Sequence, residues 1–124
     1  MEFNEHKPIY LQIAETLCDK IVLGEWEPEE RIPSVREMGA VLGVNPNTVA
    51  RTYDYLQQLD IIYNKRGIGY FVTLNAKNLI LTHEKKIFID TELPALFKKM
   101  NGLGISIDQI GDYYKNFIEK EKTL

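Results

Sequence analysis

Between Arg31 and Tyr55 the chain reads RIPSVREMGAVLGVNPNTVARTYDY, two helical patterns with almost nothing between them. That missing connection restricts the fold more than any other feature of the sequence. Ser34, followed three residues later by Glu37, is a capping box in which hydroxyl and carboxylate satisfy backbone N–H groups left open at a helix start. A helix therefore begins at Ser34. Val35, Met38, Val41 and Leu42 are expected on its apolar face, and Gly43 stands where the chain leaves through a left-handed residue. Asn45 then caps a second helix, with Pro46 at its first position and Thr48, Val49, Thr52 and Tyr53 continuing the pattern. Helices joined this tightly cannot lie side by side and must cross steeply, as in a helix-turn-helix.

The second helix presents Asn45, Asn47, Thr48 and Arg51 near its start. Amide, hydroxyl and guanidinium groups are the donors and acceptors that read base edges in a major groove. An ordinary capped helical hairpin shows the same local pattern, so the flanks decide. Upstream, Pro8 to Leu23 reads as a scaffold helix with Tyr10, Ile13, Ala14, Leu17 and Ile21 on its apolar side, Gln12, Glu15, Asp19 and Lys20 on the other, and Gly24 as its stop. Cys18 falls on the apolar face as a small core residue, and a single cysteine excludes an internal disulfide. Trp26 is expected to close the edge of the core. Downstream, the β-branched and aromatic runs 61–63 and 70–73 flank Asn64-Lys65-Arg66-Gly67-Ile68-Gly69, a hairpin whose basic tip suits DNA phosphates or a minor groove.

Charge bears on how such a module could bind. The net charge is −3, and residues 1–75 carry seven Lys and Arg against eleven Asp and Glu. Binding by bulk charge is therefore not expected, and a focused basic site on an acidic body favours specific recognition. No apolar run approaches the roughly 18 residues of a membrane span, and Met1 to Pro8 lacks the apolar region of a secretory signal. No membrane role is expected, and the cytoplasm is the expected compartment. His6 and His83 stand at no metal-ligand spacing, and Gly67-x-Gly69 opens no helix as a phosphate loop would. No catalytic residue, metal or cofactor is expected.

The remaining residues, 76–124, show helical periodicity and no strand signal. Leu79, Ile80, Ile87, Leu93, Leu96, Phe97 and Met100 suit a long helix broken or bent near Pro94, ended by Asn101-Gly102-Leu103-Gly104. Ser106 and Gln109 form a second capping box, and Ile107, Ile110, Tyr114, Phe117 and Ile118 give the last helix its apolar side. Two such helices cannot bury their apolar faces on each other alone. They fold back on the first domain or pair with a second copy, and pairing fits the two-fold sites such modules read.

A resemblance supports this reading. Pro8-Ile9-Tyr10, Gln12-Ile13, Gly24, Pro28, Arg31-Ile32-Pro33-Ser34, Arg36, Leu42-Gly43-Val44-Asn45, Thr48-Val49, Tyr53, Leu56 and Gly67-x-Gly69-x-Phe71-Val72 resemble the winged-helix domain of the GntR family of bacterial transcription regulators over residues 8–73. Asn45-Pro46-Asn47-Thr48-Val49 and the short tail look most like its YtrA subfamily, which carries a small helical dimerisation appendage. The resemblance implies that Arg36 contacts DNA backbone and nearby bases, that Asn45, Asn47 and Thr48 occupy helix-start contact positions, and that Arg66-Gly67 form the wing tip. Arg51 faces the groove by helical geometry. Pro46 replaces an Arg of other subfamilies, while Glu29 and Asp60 stand where glycines are common.

The expected fold is mainly α with a small β-hairpin: a winged helix-turn-helix at residues 1–75, then a two-helix dimerisation appendage at 76–124. The expected function is sequence-specific transcriptional regulation, as a repressor acting as a homodimer on a two-fold double-stranded DNA operator. Ser34, Arg36, Asn45, Asn47, Thr48, Arg51, Lys65, Arg66 and Gly67 are the candidate DNA contacts. Ile87, Leu93, Leu96, Phe97, Met100, Ile110, Tyr114 and Phe117 are the candidate dimer contacts. With no dedicated effector domain, a small-molecule effector is not expected. The competing class is a winged-helix module for protein interaction, which would favour an apolar exposed helix over Asn45, Asn47, Thr48 and Arg51.

Overall fold

The computed structural model describes residues 6–123. Residues 1–5, part of the leading segment without an apolar signal region, lie outside it. Helix α1 spans Ile9–Val22 and turns Ile13, Ala14, Leu17, Cys18 and Ile21 into the core. Gln12, expected on its polar side, is buried instead. The reason is a polar contact at the helix start, where Gln12 Nε2 donates to the Lys7 carbonyl at 2.7 Å.

Helix α2 spans Val35–Leu42 and α3 spans Pro46–Gln58. At the start of α2 the Glu37 N–H donates to Ser34 Oγ at 3.1 Å, and the Ser34 N–H donates to Glu37 Oε1 at 3.0 Å. The inner face of α2 differs from expectation in one residue. Val41 is 76% exposed. At 100° per residue Val41 lies at the rim of the stripe centred on Val35, Met38 and Leu42, and the inward position is taken by Gly39. A Cβ at Gly39 would stand 2.9 Å from the Val44 carbonyl oxygen, so the absent side chain is what lets the turn close on α2.

Helix α3 packs on both α1 and α2 through Val49, Thr52, Tyr53 and Leu56, all fully buried. Two of these carry hydroxyls with partners. Tyr53 Oη donates to the Pro33 carbonyl at 2.7 Å, and Thr52 Oγ1 donates to the Tyr10 carbonyl at 2.7 Å. Burial raises the Tyr53 pKa, so it stays a neutral donor.

Strands β1 (Ile62–Lys65) and β2 (Gly69–Val72) pair antiparallel, with Ile62 opposite Val72 and Lys65 opposite Gly69. The strands reach nearer the tip than the sequence suggested, because Asn64 and Lys65 pair across to Tyr70 and Gly69 rather than forming turn. The segment before α2 lines the other edge of β2: the Glu29 N–H donates to the Val72 carbonyl, the Val72 N–H to the Glu30 carbonyl, and the Ile32 N–H to the Tyr70 carbonyl. This stitches the wing to the helix-turn-helix. Ile32, Ile61, Ile62 and Val72 join the helical core, with Trp26 packed at its edge.

Helix α4 spans Ala76–Ile87, followed by a π-helical turn at Phe88–Glu92, then α5 at Leu93–Leu103 and α6 at Ile107–Lys122. The expected break near Pro94 takes the form of this wider turn, in which the Leu93 N–H donates to the Phe88 carbonyl five residues back. A proline ring crowds the carbonyl four residues before it, and the wider turn makes room without leaving helical geometry. The chain divides into two compact units, one ending at His83 and one beginning at Glu84. The first unit thus runs past residue 75, because Ala76 and Ile80 of α4 are buried in its core and Tyr55 Oη meets His83 Nε2 at 3.3 Å.

Candidate nucleic-acid interface

Two of the candidate contacts are also helix caps, and capping fixes which of their atoms are left for a ligand. Ser34 Oγ accepts from the Glu37 N–H at 3.1 Å, and its hydroxyl also interacts with the Glu37 carboxylate. Asn45 Oδ1 accepts from the Asn47 N–H at 2.8 Å, which leaves the Asn45 amide NH2 for a partner. The Asn45 amide suits a phosphate or base acceptor. Glu37 is held below its ordinary pKa, first by the backbone N–H of Ser34, then by its hydroxyl, with Arg31 adding to the effect.

Helix α3 brings Asn47, Thr48 and Arg51 to one cleft of about 370 Å3, whose other wall is Pro8, Ile9 and Tyr10 at the start of α1. Among the described residues, no carboxylate lines it. Asn47 and Arg51 are exposed and Thr48 is half-buried. The Arg51 guanidinium lies over the Tyr10 ring, 4.1 Å from its centroid. Sequence reasoning placed Arg51 toward the groove but counted Tyr10 only as core, since no local signal joins residues so far apart in the chain.

On the wing, Arg66 and Gly67 are the central residues of a turn closed by the Ile68 N–H donating to the Lys65 carbonyl at 2.9 Å. Both are exposed. Lys65 belongs to β1, and its Nζ lies 4.7 Å from the Phe71 ring centroid, while Tyr63 stacks on the same Phe71 at 5.7 Å. The wing therefore offers an exposed Arg at its tip and a Lys held on its flank. Arg31, which the sequence left unassigned, bridges to Phe71 in the backbone and lays its guanidinium beside Gly69. Arg36 is exposed on the first turn of α2.

Of the candidate dimer contacts, Ile87, Leu96, Phe97, Tyr114 and Phe117 are exposed, and Leu93 and Ile110 are half-buried. Met100 is 5% exposed, so its side chain is spent inside the protomer and is unavailable to a second copy. Among the described residues, no group of three or more His, Cys, Asp or Glu could hold a metal ion. No helix among them is long and apolar enough to cross a membrane.

Two packed helices joined by a tight turn, with polar groups at the start of the second and a basic hairpin stitched to them, define a winged helix-turn-helix DNA-binding protein. The chain belongs to the gntR family of bacterial regulatory proteins, whose model matches residues 9–72. It is 36% identical over 118 residues to the HTH-type transcriptional regulator YhcF of Bacillus subtilis, covering 95% of this chain and 96% of that one. It is 32% identical over 108 residues to the HTH-type transcriptional repressor YtrA of the same organism, covering 87% and 82%. The crystal structure of a GntR-family regulator from Bacteroides thetaiotaomicron superposes with a TM-score of 0.84 at 49% identity, over 92% of this chain and 99% of that one. The protein is a DNA-binding transcriptional regulator, and its relatives are regulators rather than enzymes.

Proposed function

We propose that this regulator is a repressor that occupies a two-fold operator as a homodimer. Each protomer lays the start of α3 in a major groove, where Asn47, Thr48 and Arg51 meet base edges and Asn45 donates from its amide. Ser34 and Arg36 hold phosphates. The Arg66-Gly67 tip and Lys65 on its flank reach the adjacent groove or backbone. The observation that carries this reading is that α3 brings the hydrogen-bonding side chains of Asn47, Thr48 and Arg51 together at one cleft, with Arg51 held over Tyr10.

Pairing through the C-terminal helices is supported by the apolar side chains that the unit beginning at Glu84 leaves in solvent, Phe97, Tyr114 and Phe117 among them. Repression is supported by the relative YtrA, which is named a repressor. A cytoplasmic location follows from a DNA target. The decisive experiment is selection of bound duplexes from a random pool, with the stoichiometry of the winner measured by sedimentation. An inverted repeat carrying two chains is the expected result, and Asn47→Ala relaxes base preference at one position of each half-site by about 1–3 kcal/mol. A pool that yields no enriched sequence, with binding lost at modest salt, would overturn the reading.

A further inference from the structure

We infer that Tyr10 is a positioning residue for base readout: its ring holds the Arg51 guanidinium flat so that the in-plane N–H groups of Arg51 meet a guanine edge. The inference rests on the DNA-reading role of α3 proposed above and adds a residue from a different helix to it.

The geometry has three parts. The Arg51 Cζ stands over the Tyr10 ring at 4.1 Å from the centroid, a distance that suits a guanidinium lying face to face with the ring and keeping its in-plane N–H donors for another partner. The ring itself is fixed. Tyr10 meets Tyr55 edge-on, with centroids 6.2 Å apart and planes at 79°, and its own carbonyl accepts the hydroxyl of fully buried Thr52, the residue next to Arg51. The stack also opens onto the cleft that holds Asn47 and Thr48, which precede Arg51 by one helical turn on the same face of α3. Among the described residues, Arg51 forms no ion pair with a carboxylate that would compete for those donors.

A free arginine on a solvent-facing helix samples many rotamers and loses that freedom on binding. One already stacked loses less, and the saving is realised only by the partner whose acceptors lie in the guanidinium plane. In a major groove that partner is guanine, which offers O6 and N7 side by side. Tyr10 thereby acts on discrimination between bases, through Arg51, without touching DNA.

The test is a binding-preference profile measured on operator variants for Tyr10→Phe, Tyr10→Leu, Arg51→Ala and the Tyr10→Leu/Arg51→Ala pair, with thermal melting of each protein. Arg51→Ala is expected to remove the guanine preference at one position of each half-site. Tyr10→Leu is expected to cut that same preference about two- to fivefold and leave the other positions as they were. Tyr10→Phe keeps the ring and should behave as wild type, and the double variant should be no worse than Arg51→Ala at that position. A Tyr10→Leu protein that melts earlier and binds every duplex proportionally more weakly, with its base preference unchanged, would make Tyr10 structural only and overturn the inference. So would a Tyr10→Phe variant as impaired as Tyr10→Leu. If Arg51→Ala keeps the full preference while Asn47→Ala loses it, this inference fails and the regulator reading stands. If wild type prefers no sequence, the regulator reading fails first.

Discussion

Asp60 sits at φ 60°, in the left-handed region, where α3 gives way to the wing. Its N–H donates to the Gln57 carbonyl at 2.9 Å and the Ile61 N–H donates to the Leu56 carbonyl at 3.0 Å. α1, α2 and α5 end on left-handed Gly24, Gly43 and Gly104. Asp60 therefore carries a steric cost that the other ends avoid. Asp60→Gly relieves it, against some added freedom of the unfolded chain, and should raise stability by a few tenths to about 1 kcal/mol in denaturant unfolding at unchanged slope. Gly69 makes the opposite case. It sits at φ 144°, and a Cβ there would stand 2.7 Å from Arg31 Nε. Gly69→Ala should lose about 1–3 kcal/mol, chiefly as backbone strain, because the exposed Arg31 side chain can swing aside; adding Arg31→Ala should therefore recover little of the loss. At this scale the caps at Ser34 and Asn45 were legible from sequence, because a cap is chemistry between residues two or three apart. The pairings of Arg51 with Tyr10 and of Arg31 with Gly69 were not, since each exists only once distant segments meet.

Among the elements, α2 depends most on its first turn. It has eight residues, too few to hold as a helix on propensity alone, and its start is fixed by the reciprocal bonds of Ser34 and Glu37. Ser34→Ala should cost about 1 kcal/mol. The same box makes a pH prediction. Glu37 titrates below the ordinary 4.5 in the folded protein, chiefly through the Ser34 N–H and then its hydroxyl. A depressed carboxyl pKa means that the contribution is complete above the unfolded value and is lost as pH falls through the lower folded one. An NMR titration of the Glu37 side chain should show that depression in wild type and only a partial return toward 4.5 in Ser34→Ala, which removes the hydroxyl but keeps the backbone N–H of residue 34. Helix starts, ends and the wing were readable because capping, left-handed exits and strand alternation leave local marks. The π-helical turn before Pro94 was readable only as a disturbance. A proline announces that a hydrogen bond is missing, and the packing around it decides whether the chain bends, breaks or widens.

For the molecule as a whole, the exposed side chains Phe97, Tyr114 and Phe117 carry the proposed pairing. Phe117→Asp places a charge on that surface without disturbing a buried residue. It should shift sedimentation from dimer to monomer and weaken operator binding, with unchanged far-ultraviolet circular dichroism. A variant that remains dimeric would move the interface elsewhere. Sequence alone could not reveal that Ala76 and Ile80 belong to the core of the first unit, because the helix that carries them shows the same period along its whole length. The charge distribution carries a consequence for how the regulator finds its site. Arg36, Arg51, Lys65 and Arg66 stand on a chain of net charge −3, with Glu25, Glu27, Glu29 and Glu30 crowded into one loop. Such a protein gains little from lingering on arbitrary duplex, and a genome presents on the order of a million or more wrong sites. Weak retention on arbitrary duplex is therefore expected to leave more copies free to reach one operator, and binding to operator-free DNA that is already lost at modest salt would check it.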